Sequence, residues 1–186
     1  MKRIPVMICL AIMSLMVASC SEDSSTEGGM TTVDQMFQRM KASYRGSYYL
    51  NNIPKFIHIT IDEQAHVVVD KFPLDLVFAK LYPNDYSSIA EPEGQIKLDA
   101  PIKGFNLDSS YIEFSTDPDN TAPIEFTFIK DEEKHTGWAL IYAIGLYNQS
   151  MGTLTIQISV VDLVIDGQDM RSLTPIHYFI DSAVKE

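Results

Sequence analysis

Alternation of apolar and polar residues constrains the fold of this chain more than any other feature of its sequence. Between residues 56 and 62, Ile57, Ile59 and Ile61 alternate with polar neighbours, and residues 153–160 repeat the pattern. Because successive side chains of a β-strand point to opposite faces, a period of two is typical of strands with one buried face. Asn, Asp, Gly and Pro cluster between these segments, where the chain can reverse. The sequence therefore predicts a mainly β, antiparallel protein.

Strand-like segments recur along most of the chain. The predicted strands cover residues 56–62, 65–70, 95–98, 111–115, 123–130, 137–147, 152–165 and 175–180. Residues 137–147 are apolar on both faces, which predicts a central strand covered on both sides. In the first hairpin, an odd-length loop at residues 62–64 places Val67 and Val69 on the face of the isoleucines. About eight strands favour a β-sandwich or a partly closed barrel, and both alternatives stay open.

Two short helices are expected beside the strands. The first is predicted over residues 32–43, where apolar residues recur at the spacing of one helical face. Thr32 with Gln35 can form a capping box at its start. The second is predicted after Pro73, because this residue type suits the first helical position and Asp75 suits the first turn.

Residues 1–19 have the composition of an export signal. Two basic residues precede an apolar stretch at residues 4–17, and two small residues follow it. The stretch is shorter than the about 20 apolar residues of a membrane-spanning helix. We therefore expect residues 1–19 to be removed as a signal peptide.

The sequence VASC, residues 17–20, resembles the lipobox of bacterial lipoproteins. In that motif an aliphatic residue and two small residues precede a cysteine that receives diacylglycerol through its thiol. The resemblance implies that Cys20 is acylated and, after cleavage, anchors the chain in a membrane through lipid chains such as palmitate. Cys9 lies inside the expected signal peptide, so no disulfide partner for Cys20 is expected in the processed chain.

The segment after Cys20 is acidic. SED at residues 21–23 resembles the export motif of Bacteroidetes lipoproteins that are displayed on the outer face of the outer membrane. This resemblance implies a lipid-anchored protein that faces the cell exterior. Residues 20–31 are poor in apolar side chains, which predicts a flexible acidic tether behind the acylated cysteine. Residues 32–186 then form a single β-rich domain.

The order of motifs within the domain resembles that of one family. A helix followed by YRGSYYL at residues 44–50, and the FPLD break at residues 72–75 after a hydrophobic hairpin, are similar to Bacteroidetes lipoproteins with the domain of unknown function 4840. That family has no known activity. The resemblance therefore implies a surface lipoprotein and transfers no active-site residue.

Charge and motifs argue against several functional classes. The formal net charge is -11 and the acidic residues are spread along the chain, so nucleic acid is not an expected partner. No nucleophile elbow, phosphate-binding loop, zinc-protease motif or dinucleotide fingerprint occurs. We therefore expect no cofactor and no enzymatic activity.

Two groups of polar residues could bind a metal, although turns and solvated strands explain them equally well. His58, Asp62 and His66 lie near one another if the first hairpin forms, and such side chains can hold zinc. DPDN at residues 117–120 could ligate calcium through its oxygens. We expect a metal site at neither position.

Two carboxylate pairs are the basis of an alternative function. Asp117 with Asp119, and Asp131 with Glu132, could in principle serve glycoside hydrolysis. Both pairs lie in segments typical of turns, where acidic residues are expected anyway. A carboxylate-dependent surface hydrolase is therefore the alternative to a binding protein.

Aromatic residues are the clearest binding signal. Tyr44, Tyr48 and Tyr49 cluster in one short segment, and Trp138 is the single tryptophan of the chain. Exposed rings of this kind could stack on sugars, whereas the alternative is that most of them build the core. We therefore predict an accessory module that binds glycan or another envelope protein, with a purely structural envelope protein as a further alternative.

One modification is implied by a resemblance. DSA at residues 181–183 resembles the acceptor motif for O-glycosylation of exported Bacteroidetes proteins. This resemblance implies that Ser182 carries a glycan.

Overall fold

The computed structural model describes residues 32–94, 96–108 and 110–186. The expected signal peptide, Cys20 and the tether lie outside these residues. The described chain is mainly β-strand, which confirms the predicted fold class. None of the helices in this part of the chain combines the length and the hydropathy that a membrane crossing requires.

The described elements consist of two α-helices, ten strands and three single 3-10 turns. In chain order they are α1 Thr32–Met40, β1 Ala42–Leu50, β2 Ile53–Ile61, β3 His66–Val69, α2 Asp75–Leu81, a 3-10 turn at Tyr86–Ser88, β4 Leu98–Leu107, β5 Tyr111–Thr116, a 3-10 turn at Pro118–Asn120, β6 Ile124–Lys130, β7 Glu133–Asn148, β8 Thr153–Ile165, β9 Gln168–Asp169, a 3-10 turn at Arg171–Leu173, and β10 Ile176–Lys185.

Eight of the strands close into an antiparallel barrel. Neighbours around the ring follow the order β7, β5, β4, β3, β2, β1, β10, β8, and β8 pairs with β7 along its whole length. Closure leaves these eight strands without a free edge, which a two-sheet sandwich would not achieve. The barrel alternative is therefore confirmed as a ring of eight paired strands, and the described strands do not form a clear two-sheet sandwich.

Strands β5 and β6 occupy one position of the barrel wall in series. β5 pairs with the last residues of β7, and β6 pairs with the first residues of β7. Residues 117–123 between them leave the wall as a loop, and β4 pairs with β5 but not with β6. Among the described residues, β6 is joined on that side only by an isolated bridge between Thr127 and Glu93. The wall is therefore open beside β6.

The interior of the barrel is filled with side chains. Inward-pointing residues of every strand in the ring are buried; the largest fully buried ones include Tyr44, Tyr178, Phe114, Ile59, Ile61, Leu98, Ile112, Ile141, Leu154 and Ile156. Gly145 makes room for one of them, because a Cβ at this position would lie 2.1 Å from Cζ of Phe114. Packing of this kind is expected for eight strands, whose interior is just wide enough for side chains.

Helix α1 covers the end of the barrel at which β1 begins, here called the α1 end. Met40 is fully buried, and the Phe37 ring meets the Phe105 ring edge-on at 6.3 Å between centroids. Lys41, the one residue between α1 and β1, donates to Glu63 in the β2–β3 turn at 2.8 Å. The helix ends at Met40 rather than near residue 43 as predicted, because Ala42 already pairs with Ile61 of β2.

Helix α2 covers the opposite end, here called the α2 end. Its Phe78 is buried and lies 6.1 Å from Phe126 and 4.9 Å from Phe128 of β6, measured between ring centroids. Tyr178 of β10 donates its hydroxyl to the carbonyl oxygen of Pro73 at 2.6 Å, which ties the start of the helix to the wall. The predicted second helix is confirmed, although Pro73 precedes its first residue, Asp75.

Several predictions for the strands can be compared with the structure. The first hairpin is confirmed, since Ile61 pairs with Val67 and both side chains are buried. The prediction that β7 is covered on both faces is wrong: Ile144 is 41% exposed and Leu146 is 40% exposed on its outer face. A closed barrel has only one interior, so its wall strands bury one face each.

β1 and the two-residue β9 were not recognised from the sequence, and β4 was recognised only at its first residue. β1 lies where the first helix was expected to end, and β4 at Leu98–Leu107 extends far beyond the predicted strand at residues 95–98. Gly46 lies within β1, and Pro101 with Gly104 lies within β4. Both residue types are depleted in strands, so they hide the pattern.

Candidate functional site

The two tyrosines Tyr44 and Tyr48 lie inside the barrel. Both are buried, and the hydroxyl of Tyr44 donates to the carbonyl oxygen of Met40 while that of Tyr48 donates to Asp75. Burial raises the pKa of each phenol well above its usual value, so both hydroxyls remain donors. Their rings are closed off from a surface ligand, which corrects the interpretation of these two residues as stacking platforms.

Three strongly exposed rings lie on three neighbouring strands. Tyr49 of β1 is 65% exposed, Phe56 of β2 is 67% exposed and Phe179 of β10 is 57% exposed. Tyr49 and Phe179 lie between buried neighbours and Phe56 directly precedes the buried Ile57, so each ring points outward from the barrel wall. The guanidinium of Arg45 lies 4.5 Å from the centroid of the Phe56 ring. Tyr49 thus keeps the exposure that sugar stacking would need.

Trp138 lies in a groove on the outer face of the wall, here called the tryptophan groove. The strand places Ala139 in the core, so the neighbouring Trp138 points outward, opposite Glu125 of β6 and Val164 of β8. The groove has a volume of about 890 Å³. Its lining residues are Glu93, Gly94, Lys97, Asp99, Ala122, Pro123, Glu125, Phe126, Thr127, Thr136, Gly137, Trp138, Val164 and Gly167.

The indole of Trp138 is half-buried and makes no specific polar or ring contact. Within the part of the chain that the structure describes, its N–H donates to no acceptor and its ring stacks on no other ring. An indole N–H that lacks an internal partner can donate to a ligand, and the face of the ring can pack against an apolar surface of that ligand. Trp138 therefore has both properties of a ligand-contacting residue.

Three carboxylates line the same groove as this indole. Asp99 accepts from Nδ1 of His66 at 2.6 Å and from Nζ of Lys97 at 3.1 Å. The hydrogen bond from His66 is the largest cause that lowers the pKa of the Asp99 carboxyl below its usual value, and Lys97 adds to it. Glu93 and Glu125 line the same groove and take part in none of the ion pairs between described residues. The groove thus presents charged acceptors that remain free for hydroxyl donors.

A second cleft of about 950 Å³ opens at the α2 end, here called the helix cleft. It lies between the β1–β2 turn, the start of α2, and the loop that follows the helix. Its lining residues are Leu50, Ile53, Lys55, Asp70, Lys71, Phe72, Pro73, Leu74, Asp75, Phe78, Tyr86, Ser87, Ile89, Ala90, Glu91, Pro92, Glu93, Gly94 and Ile96. Glu93 and Gly94 line both clefts, which are therefore adjacent.

Asp75 is the half-buried carboxylate of the helix cleft. Its oxygens Oδ1 and Oδ2 lie 2.9 and 2.8 Å from the hydroxyl of Tyr48, and Oδ1 also accepts from the backbone N–H of Leu76 at 2.8 Å. The rings of Tyr48 and Tyr178 meet edge-on below it, 5.2 Å apart between centroids. A carboxylate has about four acceptor positions, so these donors leave capacity for a ligand.

The residues considered for zinc have separate partners. His58 Nδ1 lies 2.9 Å from Oε2 of Glu186, whereas His66 bonds to Asp99. The Asp62 carboxylate accepts from the backbone N–H of His66 at 2.8 Å and so shapes the β2–β3 turn. The described residues contain no group of three such side chains placed to hold a metal ion.

The acidic turn at residues 117–120 is organised by its own side chains. The Asp117 carboxylate accepts from Nδ2 of Asn120 at 2.7 Å and from Nζ of Lys103 at 3.2 Å. These hydrogen bonds, that from Asn120 above all, lower the pKa of Asp117. The ammonium group of Lys103 therefore binds the carboxylate oxygens of Asp117 that a calcium ion would need as ligands.

The carboxylates proposed for hydrolysis lie outside both clefts. Asp131 and Glu132 form the exposed turn between β6 and β7, with φ of 51° and 66°. Neither they nor Asp117 and Asp119 line the tryptophan groove or the helix cleft. A hydrolase site would therefore have to use other carboxylates.

Ser182 lies in a bulge of β10. The register with β8 shifts between Ile180 and Ala183, and Ser182 is exposed with φ of 52°. Its hydroxyl donates to the Asp181 carboxylate at 3.0 Å. Glycosylation of Ser182 stays a prediction.

Sequence reasoning identified Trp138 but missed the residues around it. Glu93, Asp99 and Glu125 come from three separate segments, and Asp75 was recognised only as a helix-start residue. No spacing motif links them, because the closed barrel alone brings them together. Comparison with protein-family models, curated proteins and solved structures finds no match.

Proposed function

We propose that this protein is a glycan-binding accessory module that is lipid-anchored at Cys20 on the outer membrane, faces the cell exterior, and uses the tryptophan groove as its glycan site. The observation that carries the proposal is the half-buried indole of Trp138 in a groove of about 890 Å³ with carboxylate and hydroxyl lining. The resemblance of its leader to lipoproteins, and of its domain to an uncharacterised surface family, supports the location.

The chemistry of the groove suits a sugar. A pyranose ring has an apolar C–H face that can stack on an aromatic ring, and hydroxyls that donate to carboxylates. Trp138 supplies the ring, and Glu93, Asp99 and Glu125 supply charged acceptors. Thr136 adds a hydroxyl that can both donate and accept, and the Thr127 hydroxyl, which donates to the carbonyl oxygen of Glu93 at 3.5 Å, can still accept.

The position of the groove suits a surface protein. β1 starts at the α1 end, so a tether that precedes α1 would leave the barrel there. Trp138 pairs with Val164 near the last residue of β8, which lies at the α2 end. A lipid anchor and the groove would therefore lie at opposite ends of the barrel, with the groove directed away from the membrane.

The proposal can be tested with a soluble fragment of residues 21–186, which contains every strand of the barrel. We expect binding on a glycan array, together with a change in the emission of the single tryptophan. Trp138→Ala should weaken binding by about tenfold, because it removes the stacking ring. Tyr111→Ala is the matched control, since Tyr111 is an exposed ring near the α1 end.

Two results would contradict the glycan proposal. One is silence on the array, and the other is equal loss of binding in the Trp138 and Tyr111 variants. Cys20→Ala separately tests the anchor: the full chain should move from the detergent phase to the aqueous phase and lose labelling by a fatty-acid probe. Continued labelling would overturn Cys20 as the acylation site.

A protein partner is the second candidate, favoured by the exposed rings Tyr49, Phe56 and Phe179. Exposed apolar side chains on neighbouring strands are typical of docking surfaces. If they contact a protein, Phe56→Ser with Phe179→Ser should abolish cross-linking to that partner in cells without changing glycan binding. Unchanged cross-linking would exclude this surface.

A carboxylate-dependent hydrolase is the third candidate, and it would use the tryptophan groove. The observation in its favour is that Glu93, Asp99 and Glu125 line the same groove as Trp138. Incubation of a bound glycan with the protein should then release new reducing ends, and Glu125→Gln should stop the release. Absence of any release would leave the groove with a binding role.

A further inference from the structure

Six charged side chains line the helix cleft. None of them takes part in an ion pair with another described residue, whereas lysines nearby do pair, as Lys130 does with Asp85 at 3.3 Å. The unpaired residues of this cleft are the carboxylates Asp70, Asp75, Glu91 and Glu93 and the lysines Lys55 and Lys71. Four carboxylates against two ammonium groups give the cleft a negative balance.

The most enclosed of these charges is also negative. Asp75 is half-buried, whereas Lys55 and Lys71 are exposed. Its partners, Tyr48 and the N–H of Leu76, are neutral donors that hold the carboxylate in place without neutralising it. Burial and the hydrogen bond to Asp75 raise the pKa of Tyr48, so the phenol keeps its proton and Asp75 remains the acceptor.

The walls of the helix cleft are apolar and aromatic. Leu50, Phe72, Leu74 and Phe78 are buried below its floor, while Ile89, Ile96 and Tyr86 form half-buried sides. The Tyr86 hydroxyl accepts from Nδ2 of Asn51 at 2.9 Å, which holds the loop against the β1–β2 turn. A volume of about 950 Å³ is near the upper end of the range of small-molecule sites.

We propose that the helix cleft binds a small organic cation, in which an ammonium group on an apolar body pairs with Asp75. An apolar body would cover the leucine, isoleucine and phenylalanine walls. The ammonium group would donate hydrogen bonds to the acceptor positions of the Asp75 carboxylate that Tyr48 and Leu76 leave unused. Attraction between opposite charges is also stronger in a partly apolar cleft than in water. Aromatic rings nearby favour a cation further.

An anionic ligand fits this cleft less well. It would have to approach Lys55 or Lys71 at the exposed rim, where solvent screens the attraction, and its apolar body would bring it towards four carboxylates. This inference does not depend on the glycan proposal, because Trp138 does not line the helix cleft and Asp75 does not line the tryptophan groove.

The test compares two probes of the same shape and opposite charge. Phenethylammonium and 3-phenylpropanoate are titrated at neutral pH into the fragment of residues 21–186, and binding is followed by NMR and calorimetry. We expect saturable binding of the cation, and binding of the anion that is weaker by about tenfold or more. Equal affinities, or no saturable binding of the cation, would overturn the proposal.

Variants locate the binding. Asp75→Asn retains an acceptor oxygen for Tyr48 and for Leu76 but removes the charge, so it should weaken cation binding by about tenfold or more. Ala90→Trp, at an exposed lining position, should fill the cleft and abolish binding even if the first variant folds poorly. Glu113→Gln on β5 is the control for net charge. Full affinity in both cleft variants, or equal loss in the control, would exclude this site.

Discussion

The two ends of the barrel are covered in different ways. At the α1 end, a single residue, Lys41, joins the helix to β1, so the helix lies directly on the barrel and Met40 enters the core. At the α2 end, the connection from α2 to β4 spans residues 82–97, and the loop at 117–123 also leaves the wall. Both clefts involve that end. The long connections at the α2 end therefore leave space for clefts, whereas the one-residue connection at the α1 end holds the helix directly against the barrel.

Removal of one large buried side chain from each helix tests this difference, and we expect it to have the largest effects. Phe78→Ala should destabilise the fold by about 3–5 kcal/mol and Met40→Ala by about 2–5 kcal/mol, since each leaves a cavity. Only Phe78→Ala should also weaken ligand binding in the helix cleft. Chemical denaturation measures the first effect and titration with phenethylammonium the second.

The comparison between the ends would fail in one clear case. The contradicting result is that Met40→Ala weakens ligand binding in the helix cleft as much as Phe78→Ala does, when both variants are folded to the same extent. The α1 end would then contribute to binding and would not only cover the barrel. The two ends would then be coupled through the packed interior.

Alanine substitutions at two glycines test the packing of the barrel wall between the two ends, and the expected effect on stability is smaller. Gly145→Ala should destabilise the protein by about 1–3 kcal/mol, because the new Cβ would lie within 2.1 Å of the buried Phe114 ring. Gly104→Ala is the matched control, since nothing lies within 4 Å of a Cβ there. Denaturation midpoints of the two variants should differ clearly. Equal midpoints would contradict tight packing of the interior.

The smallest expected effect concerns acid pH. A hydrogen bond from His135 at 2.7 Å is the largest cause that lowers the pKa of Asp166 near the α2 end, and Lys41 lowers that of Glu63 at the α1 end. A carboxyl with a lowered pKa binds fewer protons when folded, so its stabilisation is present at neutral pH. This contribution disappears as the pH falls below about 4, through the lowered pKa.

Asp166→Asn and Glu63→Gln separate the acid effects at the two ends. Each variant should lower Tm slightly at pH 7, and the difference from the unaltered protein should vanish near pH 2. Thermal unfolding followed by circular dichroism gives both values. A difference that persists undiminished at pH 2 would show that the sign is wrong.

Part of the fold could be predicted because some strands show a simple pattern. β2 and β8 alternate so regularly that their buried faces were identified from Ile57, Ile59 and Ile61 and from their counterparts in β8. β1 and all but the first residue of β4 could not be recognised, since Gly46, Pro101 and Gly104 weaken the local preference for a strand. In these two strands, pairing with neighbours on both sides outweighs that local preference.

The candidate sites were predictable only through Trp138. A lone tryptophan on a strand is visible in the sequence, but its half exposure depends on the neighbouring strands β6 and β8. Tyr44 and Tyr48 have the same residue type as Tyr49 and yet lie in the core. The two faces of β1 could be told apart only once β1 was known to be a strand.

The sequence by itself determined the antiparallel strands, their buried faces in the alternating segments, the second helix and the turns between them. These features depend on backbone preferences and on contacts within a few residues. Only the tertiary structure decided that the sheet closes, through the pairing of β1 with β10, and that segments distant in sequence enclose two clefts. Closure depends on contacts between residues far apart in the chain, and no local pattern of side chains specifies which distant strands meet.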